Sequence, residues 1–287
     1  MKYFIDTEFI EGKQRLRKTW LEALTATKKF TEPTIDLISI GIVAEDGREY
    51  YAISKDFNLK EAWFRYDIKT MTNLPGDSDT NKMKVYWLRD NVLLPIYKEW
   101  FSGDARNRFD FSYSTMKYAL NKYGKTNKQI AEEIKKFCSS KLEYGRTFGS
   151  RETHLGLPSV QSEYGSKIKN ERDNPEFYGY YADYDWVVFC WLFGNMNDLP
   201  SGFPMYCKDL KQTLDNMVDN MSNNDFDKTF HLGLYNHPSQ IYKNKLNLEY
   251  KLNMLKGDKR YPKQTNEHNA LADARWNFEL YKFLKQL

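Results

Sequence analysis

A chain of 287 residues can bury a substantial core, enough for one α/β domain with insertions or for two small domains. With 43 basic against 39 acidic residues the formal charge is +4, too mild to mark a nucleic-acid binder by itself, and three cysteines without CxxC spacing argue against a disulfide framework or a structural zinc site. No apolar run approaches a membrane span, and Asp6 and Glu8 interrupt the stretch a signal peptide would need, so a cytoplasmic protein with no membrane partner is expected.

Lys2 to Phe9 reads as a buried strand ending in two carboxylates, and Thr34 to Ala44 as a second β-branched strand closed by a turn at Glu45-Asp46-Gly47, with Arg48 to Ser54 returning as its hairpin partner. Trp87 to Ile96 predicts a short helix stopped near Pro95. Thr126 to Cys138 predicts a longer one, capped by Thr126 or Asn127, with Ile130, Ile134, Phe137 and Cys138 at helical spacing. Phe177 to Ala182 is aromatic and strand-like, and Tyr184 to Phe193 is a helix that Gly194 should stop. Pro204 to Cys207 predicts a short strand leading into a helix from Lys208. The final helix spans Ala270 to Leu284 with Leu271, Ala274, Phe278 and Tyr281 on one stripe. Three antiparallel strands followed by strand and helix units make an α/β fold, a mixed β-sheet flanked by helices.

Residues 13 to 33, 99 to 124, 141 to 176 and 218 to 262 are polar, rich in Asn, Lys and Tyr, and lack long periodicity, so they are expected to be insertions in one domain covering 1 to 287. Two segments are locally +5: 13 to 29, where six basic residues face Glu22, and 241 to 263, where seven face Glu249 and Asp258.

Strand alternation puts Phe4, Asp6 and Glu8 on one face, with Ile5, Thr7 and Phe9 on the other. Two carboxylates that project together repel unless a cation sits between them, and hard Mg²⁺ or Mn²⁺ takes oxygen ligands of this kind. Two further aspartates interrupt apolar helical stripes: Asp273 shares its stripe with Asn277, Leu280 and Leu284, and Asp185 with Val188, Phe189 and Leu192. A carboxylate on an apolar stripe is costly unless neutralised. Asp183 has the simpler explanation of a helix N-cap, so Asp185 is favoured for chemistry. His268 lies five residues before Asp273, about 140° away on a regular helix, which places it in the preceding loop. His231, His237 and Cys207 match no compact zinc motif.

The order of these three sites, DxE ending the first strand, an aromatic-Asp pair opening a middle helix and HxAxxD opening the last, resembles the DEDDh 3′-to-5′ exonuclease superfamily of ribonuclease H-like fold. Within it the likeness is to the ribonuclease AS type exoribonucleases, carried by MKYFIDTEFIEG, TIDLISIGIVAEDGREYYAIS, WLRDNVLLPI, YADYDWVVFCWLFG and PKQTNEHNALADARWN. That resemblance implies two Mg²⁺ or Mn²⁺ ions held by Asp6, Glu8, Asp185 and Asp273, with His268 as general base. It also implies hydrolysis of single-stranded RNA from its 3′ end to nucleoside 5′-monophosphates, with Thr7, Phe9 and Tyr184 as candidate substrate contacts. The family joins the first two motif strands by a short loop, where this chain inserts Lys13 to Pro33. The alternatives are a DNA-directed 3′-to-5′ exonuclease and a catalytically silent nucleic-acid-binding module. The oligomeric state is open, a homodimer being among the arrangements compatible with the sequence.

Overall fold

The computed structural model describes residues 1–14, 30–72, 80–101, 110–139, 174–220 and 249–287. Most of the 13 to 29 basic segment, residues 141 to 173 and residues 221 to 248, with His231 and His237, lie outside the described residues.

Three strands open the chain: β1 (Lys2–Gly12), β2 (Thr34–Ala44) and β3 (Glu49–Ile53), joined as antiparallel neighbours, with the expected turn at Glu45 to Gly47. Gly47 takes φ +87°, a conformation costly for any side-chain-bearing residue. Two short strands, β6 (Glu176–Gly179) and β7 (Lys208–Asp209), then extend the sheet in parallel on the far side of β1, giving the order β3-β2-β1-β6-β7. Between β3 and β6 in sequence come α1 (Leu59–Phe64), the separate hairpin β4 (Asp67–Thr72) with β5 (Thr80–Val85), α2 (Leu94–Phe101), α3 (Tyr113–Tyr123) and α4 (Asn127–Ser139). The chain continues through α5 (Asp183–Phe193), α6 (Leu210–Asn220) and α7 (Ala270–Leu284).

The sheet is covered on both faces, because alternate residues of β1 belong to different cores. Tyr3 and Ile5 pack with Ile40, Ile42, Phe177 and the α4 and α5 residues Ile130, Ile134, Trp186 and Phe189. Phe4 packs the other way, with Val43, Leu210, Leu214, Ala274 and Leu280 of α6 and α7. A third cluster joins Ile10 and Ile38 to Trp63, Val92, Ile96, Met116 and Leu120, which fastens α1, α2 and α3 beyond the end of the sheet. Each fully buried aliphatic or aromatic side chain contributes roughly 1.5–3 kcal/mol. The α/β architecture expected from the sequence is thus present, as a mixed five-stranded sheet between helical layers. Among the described residues, no helix is long and apolar enough to cross a membrane.

Several local expectations are corrected. Pro95 does not stop its helix, because residues Arg89 to Leu93 form a π turn in which the Leu94 N–H bonds to the Arg89 carbonyl. The wider turn accommodates a ring that would otherwise strike the carbonyl four residues earlier, and the helix runs on to Phe101. Helix α3 lies inside the 99 to 124 stretch that shows no long periodicity; Ser112 and Thr115 close a reciprocal capping box, and Met116, Ala119 and Leu120 are buried. The strand predicted at Pro204 to Cys207 is irregular chain, β7 comprising only Lys208 and Asp209, and the helix predicted from Lys208 begins at Leu210. Phe177 to Ala182 is strand only to Gly179, after which Tyr181 turns the chain at φ +55°. Thr126 caps α4 by accepting from the Gln129 N–H at 3.2 Å, and the three cysteines are free, Cys190 buried and Cys138 and Cys207 partly buried.

Candidate active site

Strand β1 carries Asp6 and Glu8, paired in register with Gly41 and Ser39 of β2. Gly41 lets the first turn of α7 lie directly on the sheet: a Cβ there would come within 2.2 Å of the Ala270 carbonyl oxygen and 2.5 Å of the Leu271 Cα. That approach delivers Asp273 over β1. One turn later the buried Asn277 donates its Nδ2 to the Ile5 carbonyl at 2.9 Å, a carbonyl beyond the last residue that β6 pairs with. Oxygen atoms of Asp6, Glu8 and Asp273 thereby lie within 4.8 Å of one another.

Asp185 comes from the first turn of α5, on the other side of β1. Its Oδ1 accepts from both the backbone N–H (2.7 Å) and the hydroxyl (2.6 Å) of Thr7. Thr7, expected among substrate contacts, is buried and commits its hydroxyl to holding this carboxylate. Asp183 is exposed and is not the N-cap of α5; Ala182 holds that position, with its N–H bonded to Asp209 Oδ2 at 2.9 Å. A partner distant in sequence thus anchors the N-cap residue's own N–H, and no side chain of the cap residue bonds the first turn, which single-residue propensity cannot reveal.

His268 lies in the turn before α7, as its angular offset from Asp273 requires, with φ +67°. This left-handed backbone directs the His268 N–H to Asp273 Oδ2 at 2.9 Å, while Gln264 Nε2 donates to Oδ1 at 2.7 Å. The imidazole Nδ1 is 4.0 Å from Glu8 Oε1, and the Trp87 ring meets the imidazole edge-on at 4.7 Å between centroids. Glu8, Phe9, Tyr66, Asp67, Trp87 and Arg65 border a cavity of about 300 Å³ beside the carboxylates. The register of β1 against β2 slips between Glu8 and Phe9, leaving Ile38 as an extra residue on β2, so neighbours that strict alternation would send to opposite faces share that cavity. Tyr184 is half-exposed on α5, with its ring 5.8 Å from that of Phe9.

The electrostatics are dominated by burial. Burial first, then the charges of Asp185, Asp273 and Glu8, push Asp6 well above the usual carboxylate range. Burial with Asp273 and Asp185 pushes Glu8 up to about 8. Asp185 rises to about 6 through burial, held down by the Thr7 bonds, and Asp273 rises through burial, held down by Gln264 and the His268 N–H. Among the described residues, no lysine or arginine forms an ion pair with any of the four. Closely set, mutually repelling carboxylates with no lysine or arginine partner among the described residues are a donor set that a hard divalent cation fits.

The sequence reading missed Gly41, Gln264, Trp87 and Asn277. Only Gly41, a glycine inside an otherwise β-branched strand, carries a sequence signal of close backbone approach. No family model matches the chain. Two curated proteins, 3′-5′ exoribonucleases of Mycobacterium tuberculosis strains CDC 1551 and H37Rv, are each similar to it at 46% identity over 67 residues. The similar region is 23% of this chain and 29% of each of those proteins, so the chain matches less than a third of the length of these relatives.

Proposed function

We propose that the chain is a metal-dependent 3′-to-5′ exoribonuclease that removes nucleoside 5′-monophosphates from single-stranded RNA. The observation that carries the reading is the convergence of Asp6, Glu8 and Asp273 within 4.8 Å beneath a histidine. The stretch similar to two mycobacterial 3′-5′ exoribonucleases supports the same chemistry.

Asp6, Glu8 and Asp273 would hold one Mg²⁺ or Mn²⁺, and Asp6 with Asp185 a second. When bound, such ions supply positive charge that offsets the negative charge building on the phosphate during in-line displacement. His268 accepts the proton of the attacking water as the new oxygen–phosphorus bond forms and the bond from phosphorus to the 3′-oxygen breaks. The leaving 3′-oxygen takes a proton from solvent, giving a shortened strand with a free 3′-hydroxyl and a 5′-monophosphate. Trp87 limits the directions the imidazole can take, and Thr7 fixes Asp185. Phe9 borders the cavity where the terminal base would lie, with Tyr184 against its ring.

The test is incubation of end-labelled RNA and a matched DNA oligomer with the protein and Mn²⁺ or Mg²⁺. Stepwise loss from the 3′ end of RNA, faster than from DNA and abolished by Asp6→Ala, is the expected result. Faster loss from DNA makes the protein a DNA exonuclease, and no release of mononucleotide from either ends the enzymatic reading.

A further inference from the structure

The β4–β5 hairpin stands apart from the main sheet, and its two faces differ in chemistry. Cross-strand partners share a face of an antiparallel ribbon, so Ile68 with Lys84 and Thr70 with Lys82 make one face, and Asp67 with Val85 and Lys69 with Met83 the other. The first face continues at the foot of the hairpin into Tyr66 and Tyr86, whose rings are 5.8 Å apart. Lys84 Nζ lies 4.4 Å over the Tyr66 ring, and the Arg89 guanidinium 4.0 Å over that of Tyr86. Lys82 and Lys84 are exposed and, among the described residues, neither pairs with a carboxylate, whereas the hairpin's described acid, Asp67, belongs to the opposite face.

The foot of this face opens on the candidate active site. Tyr66 of this face borders the same 300 Å³ cavity as Glu8 and Phe9, with Asp67 of the opposite face also at its rim, and Trp87, two residues after β5, touches the His268 ring. Partly exposed aromatic rings interleaved with exposed lysines that, among the described residues, pair with no carboxylate are the surface that a single nucleic-acid strand fits, bases against rings and phosphates on ammonium groups. We propose that the Tyr66, Lys84 and Lys82 face is the track for the part of a single strand that lies upstream of the bond to be cut. The strand's end enters the cavity and its body runs out along the hairpin. This assignment of direction rests on the exonuclease reading.

The experiment compares wild type, the Lys82→Ser/Lys84→Ser double variant and Lys69→Ser from the opposite face, all checked for folding by circular dichroism. Binding of a fluorescent RNA of about 12 nucleotides is measured by anisotropy in chelator, so that nothing is cut, across a salt series. The double variant should bind about tenfold more weakly at low salt and show a salt dependence shallower by about 1.4, that is ~0.7 for each lost phosphate contact. Lys69→Ser should change little. With Mn²⁺ present, the double variant should lose about tenfold more activity on the longer RNA than on a dinucleotide. Equal loss from both faces, unaltered binding, or equal loss on long and short substrates would overturn the track. If wild type cuts no oligomer but the double variant alone loses binding, the nuclease reading fails and the track stands.

Discussion

Replacing Glu8 with glutamine removes one charge from the carboxylate cluster at nearly constant volume, and the structure sets both the sign and the size of the effect. Burial and the neighbouring Asp273 and Asp185 charges lift Glu8 from an ordinary value of 4.5 to about 8. The raised titration therefore destabilises the folded protein by about 5 kcal/mol above pH 8, where the side chain is ionised, and by about 3 kcal/mol at pH 7, where the folded side chain is mostly protonated, at ~1.4 kcal/mol per pH unit. Between pH 4.5 and 8 the folded state binds more protons than the unfolded chain, so the stability of metal-free protein falls as pH rises through that window and levels off above it. An amide left partly unsatisfied returns about 1 kcal/mol of the gain.

Glu8→Gln should thus stabilise the metal-free protein by about 2 kcal/mol at pH 7, roughly 5 °C in melting temperature, and flatten its pH dependence. Mn²⁺ reverses the order. Wild type gains about 2.7 kcal/mol at a hundredfold excess over its dissociation constant, while the variant, short of one ligand, binds less and gains less. The assay is thermal unfolding in chelator and in Mn²⁺ at several pH values. A variant that melts below wild type in chelator would contradict repulsion within the cluster, and equal stabilisation of both proteins by Mn²⁺ would remove Glu8 from the ligand set.

Substitutions at four other positions probe how the site is held. Asp185→Asn should abolish nuclease turnover with little loss of stability, and Asp183→Asn should be mild because that side chain is exposed; kcat of the two variants decides between them. Gly41→Ala forces a methyl group into the Ala270 backbone, so it should cost on the order of 3 kcal/mol or more and reduce Mn²⁺ affinity together with stability, both read by calorimetry. Thr7→Val removes a hydroxyl bonded to a carboxylate and should cost about 1.5–3 kcal/mol by denaturant unfolding, while Thr7→Ser should restore most of it.

How much of this was legible depended on whether the deciding force was local. The ends of β2 and α7 follow from β-branched density and helical stripes, and the misfit of Asp185 and Asp273 on those stripes marks both before any fold is known. Asp183 shows the limit: its cap role was plausible from propensity, yet Ala182 holds the N-cap position, with its N–H bonded to Asp209, 27 residues away. The β4–β5 hairpin was missed although alternating residues flank a Pro75-Gly76 dipeptide, because lysines and methionines on both arms mask the usual contrast between faces.

Packing on both faces of β1 also explains why the carboxylates sit where they do. Of the three elements that meet at the site, β1 is fixed by the cores on both its faces, α7 is brought onto it at Gly41 and bonded through Asn277, and α5 is tied through Thr7. Apolar packing on the strand on either side of Asp6 therefore holds in place a cluster whose own charges oppose it. On the metal reading proposed above, the repulsion that the packing overcomes would be relieved when a cation binds. His268 belongs to the same arrangement, because its left-handed backbone is fastened through its N–H to Asp273, so the placement of the imidazole depends on the carboxylate beside it.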